Sequence, residues 1–263
     1  MKKVIKQLAK AILGENTILI AKTWFRSEEE KRLIQKRRTF YLQFLTAKGD
    51  RYFDVGANYG NRIEPIVDDG FTIIAIEPQS SCINYLKRRF NNKILIVPKG
   101  LGAVEGRQTL YISDVNTISS FSKDWIRATQ ESGRFSQYNW EQEQAVEMTT
   151  LDKLIELYGK PQFIKIDVEG FELEVLQGLS QPVPVLSFEY TIPERKQAIL
   201  ECIDRIVELA KGQPVTFNYS ISESMEWALE AWLSPQEMKQ EVDNERFVVS
   251  EFGDIYAKTI VNS

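Results

Sequence analysis

Apolar residues along most of the chain fall into short, nearly continuous runs separated by segments of helical period. The runs at 51–55, 71–78, 92–98, 161–168 and 182–190 are rich in β-branched and aromatic residues, which is typical of strands buried on both faces. Between them, apolar residues recur every three or four positions, as in amphipathic helices. Strands that alternate with helices predict an α/β fold with a mostly parallel, doubly wound sheet and helices on both faces.

Several of the predicted helices have recognisable ends. Asn61 and Glu64 have the spacing of a capping box, which predicts a helix that stops at Gly70. A Thr cap begins the helix in TTLDKLIELYG, and Gly178 ends the short helix in EGFELEVLQGL. Further helices are predicted at 28–46, 80–90 and 194–211, and further strands at 106–113, 145–148, 215–219 and 254–260.

The N-terminal segment differs from the rest of the chain in charge. Residues 1–40 contain eleven Lys or Arg and four acids, whereas the whole chain has a net charge of −4, so the body of the protein is acidic. We therefore divide the chain into a basic, helical N-terminal arm, residues 1–48, and one domain, residues 49–263. An acidic body argues against nucleic acid as a partner.

The start of the arm has its own apolar pattern. Val4, Leu8 and Ile12 recur at helical spacing, with Lys on the other face. Such a helix either packs on the domain and covers its pocket, or contacts an anionic membrane or a partner. Lys6 and Lys10 interrupt the apolar stretch that a secretory signal needs. We expect a cytoplasmic protein, with peripheral contact to the inner membrane face as an open alternative.

Two residue types limit the chemistry. Cys82 and Cys202 are the two cysteines, and neither lies in a C-x-x-C pattern, which argues against structural zinc. The chain contains no histidine, so Ser-His-Asp and Cys-His relays are excluded. A general base must then be Asp, Glu, Lys, Tyr or water. Any metal must be held by oxygen ligands, which favours magnesium, calcium or manganese.

Polar residues stand at the ends of five predicted strands: Asp54, Glu77, Lys99, Asp167 and Glu189. In an open α/β sheet, ligands bind in the crevice beyond the carboxyl ends of the strands. Each residue taken alone can be explained by a cap or a turn. Their joint placement at one edge of the sheet predicts a shared ligand crevice.

The loop after the first strand restricts the ligand. Gly56 and Gly60 are four residues apart, which differs from the G-x-G-x-x-G spacing of dinucleotide sites, and no G-K-[ST] of a phosphate-binding P-loop follows. Asp54 beside the loop would repel a pyrophosphate. S-adenosylmethionine has no phosphate and carries an amino group, a sulfonium and a ribose diol. Glu77, at the end of the second strand, is placed to accept both ribose hydroxyls.

Four segments together resemble a known family. FDVGANYG, IAIEPQ, TTLDKL and FIKIDVEGFELEVLQGL followed by FEY are similar, in this order and spacing, to the FkbM family of S-adenosylmethionine-dependent methyltransferases. The resemblance covers roughly residues 50–190. It implies a class I, Rossmann-like methyltransferase fold and, usually, O-methylation of a hydroxyl on a sugar or natural product.

The donor, S-adenosyl-L-methionine, is the cofactor that the resemblance implies. Residues 1–48, 113–143 and those after 191 lie outside the motifs, where such enzymes vary to select substrates. The acceptor is expected to be a small molecule or a glycan, and the oligomeric state is left open. The candidate donor-site residues are Asp54, Gly56, Ala57, Asn58, Gly60, Glu77, Pro78 and Leu101.

The catalytic candidates follow from the chemistry of methyl transfer. The donor is already activated, so the protein must align the nucleophile, methyl carbon and sulfur, and an alcohol also benefits from a base. Asp167 and Glu189 are the base candidates, and Lys165 lies on the same strand face as Asp167. Glu169 opens the next helix, where an acid is favourable anyway. We assign no metal, but Asp167 with Glu169 or Glu189 is an alternative magnesium site.

The segment after the third strand adds candidates for the pocket wall. Ser119, Ser120 and Phe121 are expected near the donor or acceptor, and the aromatic residues Trp125, Tyr138 and Trp140 either stack a sugar ring or pack a lid. Two rival functions remain. One is a donor-binding or scaffold protein that kept the fold without catalysis. The other, an NAD-dependent oxidoreductase, is disfavoured by the loop spacing.

Overall fold

The computed structural model describes residues 26–260. Its strands, numbered in chain order, are β1 (Arg51–Val55), β2 (Thr72–Ile76), β3 (Leu95–Val97), β4 (Gly100–Leu101), β5 (Gly106–Ile112), β6 (Gln142–Thr149), β7 (Phe163–Ile166), β8 (Val185–Thr191), β9 (Val215–Ile221) and β10 (Phe252–Thr259). Its α-helices are α1 (Glu28–Tyr41), α2 (Ser80–Phe90), α3 (Lys123–Glu131), α4 (Leu151–Tyr158), α5 (Glu172–Gln177), α6 (Lys196–Leu209), α7 (Pro235–Glu241) and α8 (Glu245–Val248).

The main sheet has seven strands in the order β3-β2-β1-β7-β8-β10-β9. All its pairs are parallel except those of β10, which runs antiparallel to both β8 and β9. The strand order reverses between β1 and β7, because β2 and β3 continue on one side of β1 and β8 on the other. This arrangement confirms the predicted class I methyltransferase fold, and it locates the ligand crevice beyond β1 and β7. A second sheet, in the order β4-β6-β5, stands beside it.

Helices cover both faces of the main sheet, as the alternating pattern predicts. The second helix of the βα series runs over Ser80–Phe90, as predicted. Thr150 caps α4 by accepting a hydrogen bond from the backbone N–H of Lys153, and Gly178 ends α5. The last two strands also form where the sequence places them. These elements follow from local pattern and capping residues that no tertiary contact overrides.

Three expectations about element bounds are wrong. The helix predicted from Asn61 to Gly70 is a single 3₁₀ turn at Glu64–Ile66, because Glu64 forms ion pairs with Arg26 and Arg89 instead of closing a capping box. The helix predicted at 28–46 ends at Tyr41, since the residues that follow turn back into the core. The strand predicted as buried at 92–98 is a short edge strand that pairs only with β2 within residues 26–260, and its Leu95 is 47% exposed.

The second half of the arm belongs to the core of the structure. Phe40 and Tyr41 of α1 pack on the main sheet, with the ring of Phe40 4.6 Å from that of Trp227 and the ring of Tyr41 5.7 Å from that of Phe163. The helix predicted around Val4 lies outside the described residues, so its role remains a prediction. The division of the chain at residue 48 also remains a prediction.

Charge complementarity joins α1 to the acidic body. The basic residues of α1 pair with acids of the domain, which is the structural counterpart of the uneven charge along the sequence. Such pairs contribute little individually when they are exposed, so the aromatic contacts supply most of the attachment. The pairs are Lys36–Glu226, Arg37–Glu223 and Arg38–Asp69.

In the described range 26–260, no helix is long and apolar enough to cross a membrane.

Truncation of Phe40 tests the attachment of α1. Phe40 is 3% exposed, and Phe40→Ala should lower the free energy of unfolding by about 3–5 kcal/mol, because the lost ring leaves a cavity in the aromatic cluster. Urea unfolding followed by circular dichroism measures the change. Leu33→Ala on the same helix is the control, since Leu33 is 37% exposed and should change stability by less than about 0.5 kcal/mol. Equal effects of the two substitutions would contradict the packing role of α1.

Candidate functional site

A crevice with about 980 Å³ of empty space, its open mouth included, lies beyond the carboxyl ends of the central strands. Of the five polar strand ends, Glu77, Lys99, Asp167 and Glu189 line it. The predicted site residues that line it are Gly56, Ala57, Asn58, Glu77, Pro78, Leu101, Lys165, Asp167 and Glu189.

Gly56 allows two loops of the site to cross. Its φ is +81°, and a Cβ built on it would lie 1.8 Å from the backbone carbonyl oxygen of Asp167. The loop after β1 therefore rests directly on the loop after β7. The backbone N–H groups of Gly56 and Ala57 both donate to the carbonyl of Ile76, at 3.0 and 3.1 Å, which ties the same loop to the end of β2. The glycine is required by backbone packing as well as by any ligand.

Glu77 links the loops that follow β1 and β2. One carboxylate oxygen accepts from the backbone N–H of Asn58 and the other from that of Gln79, each at 2.7 Å. Asn58 reaches this position with a φ of +45°. Burial raises the pKa of Glu77 to about 7, although the two backbone hydrogen bonds oppose the shift. A carboxylate has about four lone-pair sites, so Glu77 keeps acceptor capacity for a ligand.

The segment after β5, residues 116–121, covers Glu77, and we call it the roof segment. The backbone carbonyl of Asn116 accepts from the side chain of Gln79 at 3.0 Å, and the hydroxyl of Ser119 donates to the Gln79 side chain at 3.2 Å. Ser119 and Phe121 line the crevice, as predicted. Ser120 does not line it and instead donates to the carbonyl of Glu169 at 2.6 Å. The roof segment is therefore fastened to loops that follow both β2 and β7.

Asp54 and Gly60 lie behind the crevice wall rather than on it. Asp54 is 1% exposed, and one of its oxygens accepts from the hydroxyl of Tyr52 at 2.9 Å. Its other oxygen, Oδ2, is buried without a hydrogen-bond partner among the described residues. A Cβ on Gly60 would lie 2.4 Å from the ring of Phe90, so this glycine is required by packing on α2. Their roles as donor-site residues remain predictions.

Lys165 and Asp167 form a close ion pair at the end of β7. Lys165 is 1% exposed, and its Nζ lies 2.5 Å from Oδ2 of Asp167. Burial lowers the pKa of Lys165, but the charges of Asp167 and Asp254 outweigh burial and the net pKa is raised. Burial would raise the pKa of Asp167, yet the charge and hydrogen bond of Lys165 hold it below its usual value. Both groups are therefore ionised at neutral pH.

Two further carboxylates stand beside this pair. Burial, followed by repulsion from Asp167, raises the pKa of Glu169 and of Glu189 well above the usual value. One oxygen of each of the three carboxylates lies within 4.8 Å of the others. Such a cluster either shares protons or offers the oxygen ligands that Mg²⁺ prefers, so the alternative of a metal stays open.

The aromatic residues of the segment 113–141 pack on one another. Trp125 is fully buried, with its ring 5.6 Å from that of Phe135 and 6.4 Å from that of Trp140. Of the two predicted roles, stacking a sugar ring or packing, Trp125 therefore has the packing role, since it is not accessible to a sugar ring. Tyr138 and Trp140 are half-buried and do not line the crevice.

Sequence reasoning did not single out several polar residues of the crevice, among them Arg62, Gln79, Asn116 and Glu223. Gln79 follows Glu77 by two residues, so the strand-end argument that identified Glu77 extends to it. Arg62 stands in the loop that was predicted as a helix, and Glu223 stands beyond the recognised motifs. Only the tertiary structure brings these two residues to the crevice.

Comparison with known proteins identifies one matching family. The sequence profile of the methyltransferase FkbM domain matches residues 54–212, which is more than half of the chain. No curated protein matches the sequence.

Solved structures with a similar arrangement have low identity. They include precorrin-6y C5,15-methyltransferase from Geobacter metallireducens GS-15, at 10% identity and TM-score 0.40 over 84% of this chain and 86% of that chain. A TehB-like SAM-dependent methyltransferase from Corynebacterium glutamicum has 10% identity and TM-score 0.43 over 85% and 87%. The plantazolicin methyltransferase BpumL in complex with SAH has 10% identity and TM-score 0.41 over 98% of both chains. At these values the likeness supports no statement about activity.

Substitution of Gly56 tests the crossing of the two loops. Gly56→Ala should lower the free energy of unfolding by clearly more than the roughly 1–2 kcal/mol that an L-residue loses at positive φ, because the added methyl also meets the carbonyl of Asp167. Urea unfolding measures the difference. Gly49→Ala is the matched control, since Gly49 has a φ of +87° and nothing within 4 Å of a Cβ. A loss no larger than that of Gly49→Ala would show that the loops do not constrain each other.

Proposed function

The chain belongs to the FkbM methyltransferase family, and we propose that it methylates a hydroxyl oxygen of a saccharide, a glycan or a secondary metabolite. The family establishes S-adenosylmethionine as the methyl donor. The oxygen acceptor is our proposal. The observation that carries it is the position of Glu189 next to the Asp167–Lys165 ion pair, at the end of the crevice away from β3.

The residues of the crevice fit this donor. S-adenosylmethionine has a ribose diol, and Glu77 keeps acceptor sites after its two backbone hydrogen bonds. It also carries a sulfonium and an ammonium, and the carboxylates at the ends of β7 and β8 favour positive charge nearby. Oδ2 of Asp54, buried without a hydrogen-bond partner among residues 26–260, is an acceptor that a water beneath the donor would satisfy.

When bound, the donor supplies an electrophilic methyl group on a sulfonium that leaves as a neutral thioether. The protein must hold an acceptor hydroxyl in line with the carbon–sulfur bond and take its proton as the carbon–oxygen bond forms. The crevice is walled by Gly56, Phe121 and Glu189. These walls limit the access of water and the orientation of the acceptor, while the carboxylates provide the base.

Glu189 is the better base of the two candidates. The pKa of Asp167 is held low by Lys165, whereas that of Glu189 is raised by burial and by repulsion from Asp167. A base works best when its pKa lies close to the operating pH, and a strongly ionised Asp167 is a weak one. We therefore assign proton removal to Glu189. The charge of Asp167, which Lys165 stabilises, helps to raise the pKa of Glu189, and both residues orient the acceptor.

A labelled-donor assay tests the function. The protein is incubated with methyl-labelled S-adenosylmethionine and hydroxyl-bearing saccharides, glycans and natural products, with and without a chelator. Glu189→Gln should lower turnover by about 10²–10⁴-fold, the usual contribution of a general base, and Asp167→Asn should also lower it. Glu131→Gln is the control, since Glu131 is exposed and outside the crevice.

The possible results separate the rival functions. Donor binding without label transfer to any acceptor would favour a donor-binding or scaffold protein. Transfer that survives both crevice substitutions would reject the assignment of the base. Loss of transfer with the chelator, restored by Mg²⁺, would identify the carboxylate cluster as a metal site.

The raised pKa of Glu77 predicts pH-dependent donor binding. Ribose hydroxyls donate to the ionised carboxylate, and the pKa of Glu77 in the free protein is about 7. Donor affinity should therefore rise with pH through 7 and fall by up to about tenfold for each pH unit below it. Titration calorimetry with S-adenosylhomocysteine between pH 5.5 and about 8.5 measures this dependence.

Glu77→Gln is the control for the pH dependence, because the amide does not titrate. It should bind the ligand more weakly and lose the pH dependence around 7. Without ligand, the same pKa shift should make the folded state less stable as pH rises from the ordinary 4.5 to about 7, because the unfolded chain releases its proton first. An unchanged pH profile in Glu77→Gln would exclude Glu77 as the titrating group.

A further inference from the structure

Among residues 26–260, three cationic side chains line the crevice: Arg62, Lys99 and Lys165. Lys165 is paired with Asp167 at 2.5 Å. Lys99 follows β3 at the opposite end, where it lies 3.5 Å from Glu147 on the second sheet. Arg62 differs from Lys99 because its side chain is largely buried, 12% against 38% exposed, and from Lys165 because no hydrogen bond to a carboxylate ties it down among residues 26–260.

The guanidinium of Arg62 is largely buried and poorly satisfied. Its side chain is 12% exposed, and Nη2 lies 3.5 Å from Glu223 and 3.7 Å from Asp254. Within residues 26–260, the one hydrogen bond it donates goes from Nη1 to the thioether of Met225, at 3.7 Å. A guanidinium has five N–H donors, and buried donors normally find good acceptors. The crevice side of Arg62 thus has donors to spare for an oxygen ligand.

The order of groups along the crevice indicates which part of a donor would reach Arg62. Lys99 follows β3, Glu77 follows β2, Asp167 follows β7, and Glu189 lies near the carboxyl end of β8. With the ribose at Glu77, the methyl must point toward Asp167 and Glu189 to meet an acceptor. The adenine then lies toward β3. The amino-acid end, beyond the sulfur, is then left for the part of the crevice where Arg62, in the loop after β1, meets Glu223 and Asp254.

We propose that Arg62 binds the α-carboxylate of the amino-acid end of S-adenosylmethionine. This inference rests on the donor and on the orientation that the proposed function requires. The donor's carboxylate needs a cation, because Glu223 and Asp254 make the surroundings of Arg62 acidic. A planar guanidinium binds a carboxylate through two parallel hydrogen bonds. Glu223 and Asp254 would then hold Arg62 in place and leave the rest of its fork for the donor.

Calorimetry with two donors that differ by one group tests the proposal. S-adenosylmethionine and its decarboxylated form share the adenosine, sulfonium and amine and differ only in the carboxylate. The wild-type protein should bind S-adenosylmethionine about 10–100-fold more tightly, as expected for a charge-assisted pair. Arg62→Gln should bring this ratio close to one by weakening S-adenosylmethionine and leaving the decarboxylated form unchanged. Arg62→Lys should restore only part of it, since lysine lacks the planar fork.

Lys99→Gln is the matched control, because it removes a cation from the same crevice and should keep the wild-type ratio. A wild-type ratio near one would overturn the proposal without any variant, so a failure of Arg62→Gln to fold does not prevent the test. A wild-type ratio retained in folded Arg62→Gln would also overturn it, and so would a ratio lost in Lys99→Gln instead. Failure of the wild type to bind either compound would instead refute the use of this donor, which keeps the two failures distinct.

Discussion

The site depends on one buried ammonium at the centre of the sheet. Lys165 stands in β7 opposite Asp54 of β1 and Ser187 of β8, and its Nζ contacts Asp167. A lone ammonium at this depth would cost several kcal/mol, and the surrounding aspartates offset that cost. Its charge lowers the pKa of Asp167, while Glu189 is left with a raised one. Neighbouring carboxylates thereby acquire different pKa values, which the proposed division between a charge-stabilising and a proton-accepting carboxylate requires.

The crevice is assembled from backbone contacts between loops. Gly56 allows the loop after β1 to rest on the carbonyl of Asp167, and Glu77 accepts N–H groups from the loops after β1 and β2. The roof segment then fastens to Gln79. Each strand end is therefore positioned by its neighbours, so the donor end is largely preformed. Preorganised groups of this kind favour alignment of a methyl group with its acceptor, because little ordering remains to be done on binding.

The part of the chain outside the family match reaches the crevice at Glu223. The profile covers residues 54–212, whereas Glu223 lies beyond it and pairs with Arg37 of α1, which lies before it. Arg62 sits between these parts and the sheet. Most of the residues that line the crevice thus belong to the matched domain. The segment after β9 contributes Glu223 to the crevice lining, and α1 stands behind it through this ion pair.

Local pattern in the sequence determined the strand and helix order, the doubly wound sheet and the strand-end residues Glu77, Asp167 and Glu189. Alternation, caps and glycines act over a few residues, and parallel strands bring their ends to one edge. Tertiary structure decided what depends on distant partners. Arg89 and Arg26 draw Glu64 away from a helix cap, and packing buries Trp125. The three-dimensional fold also brings Arg62 to the crevice and separates the pKa values of Asp167 and Glu189, because burial and charge proximity are properties of the assembled fold.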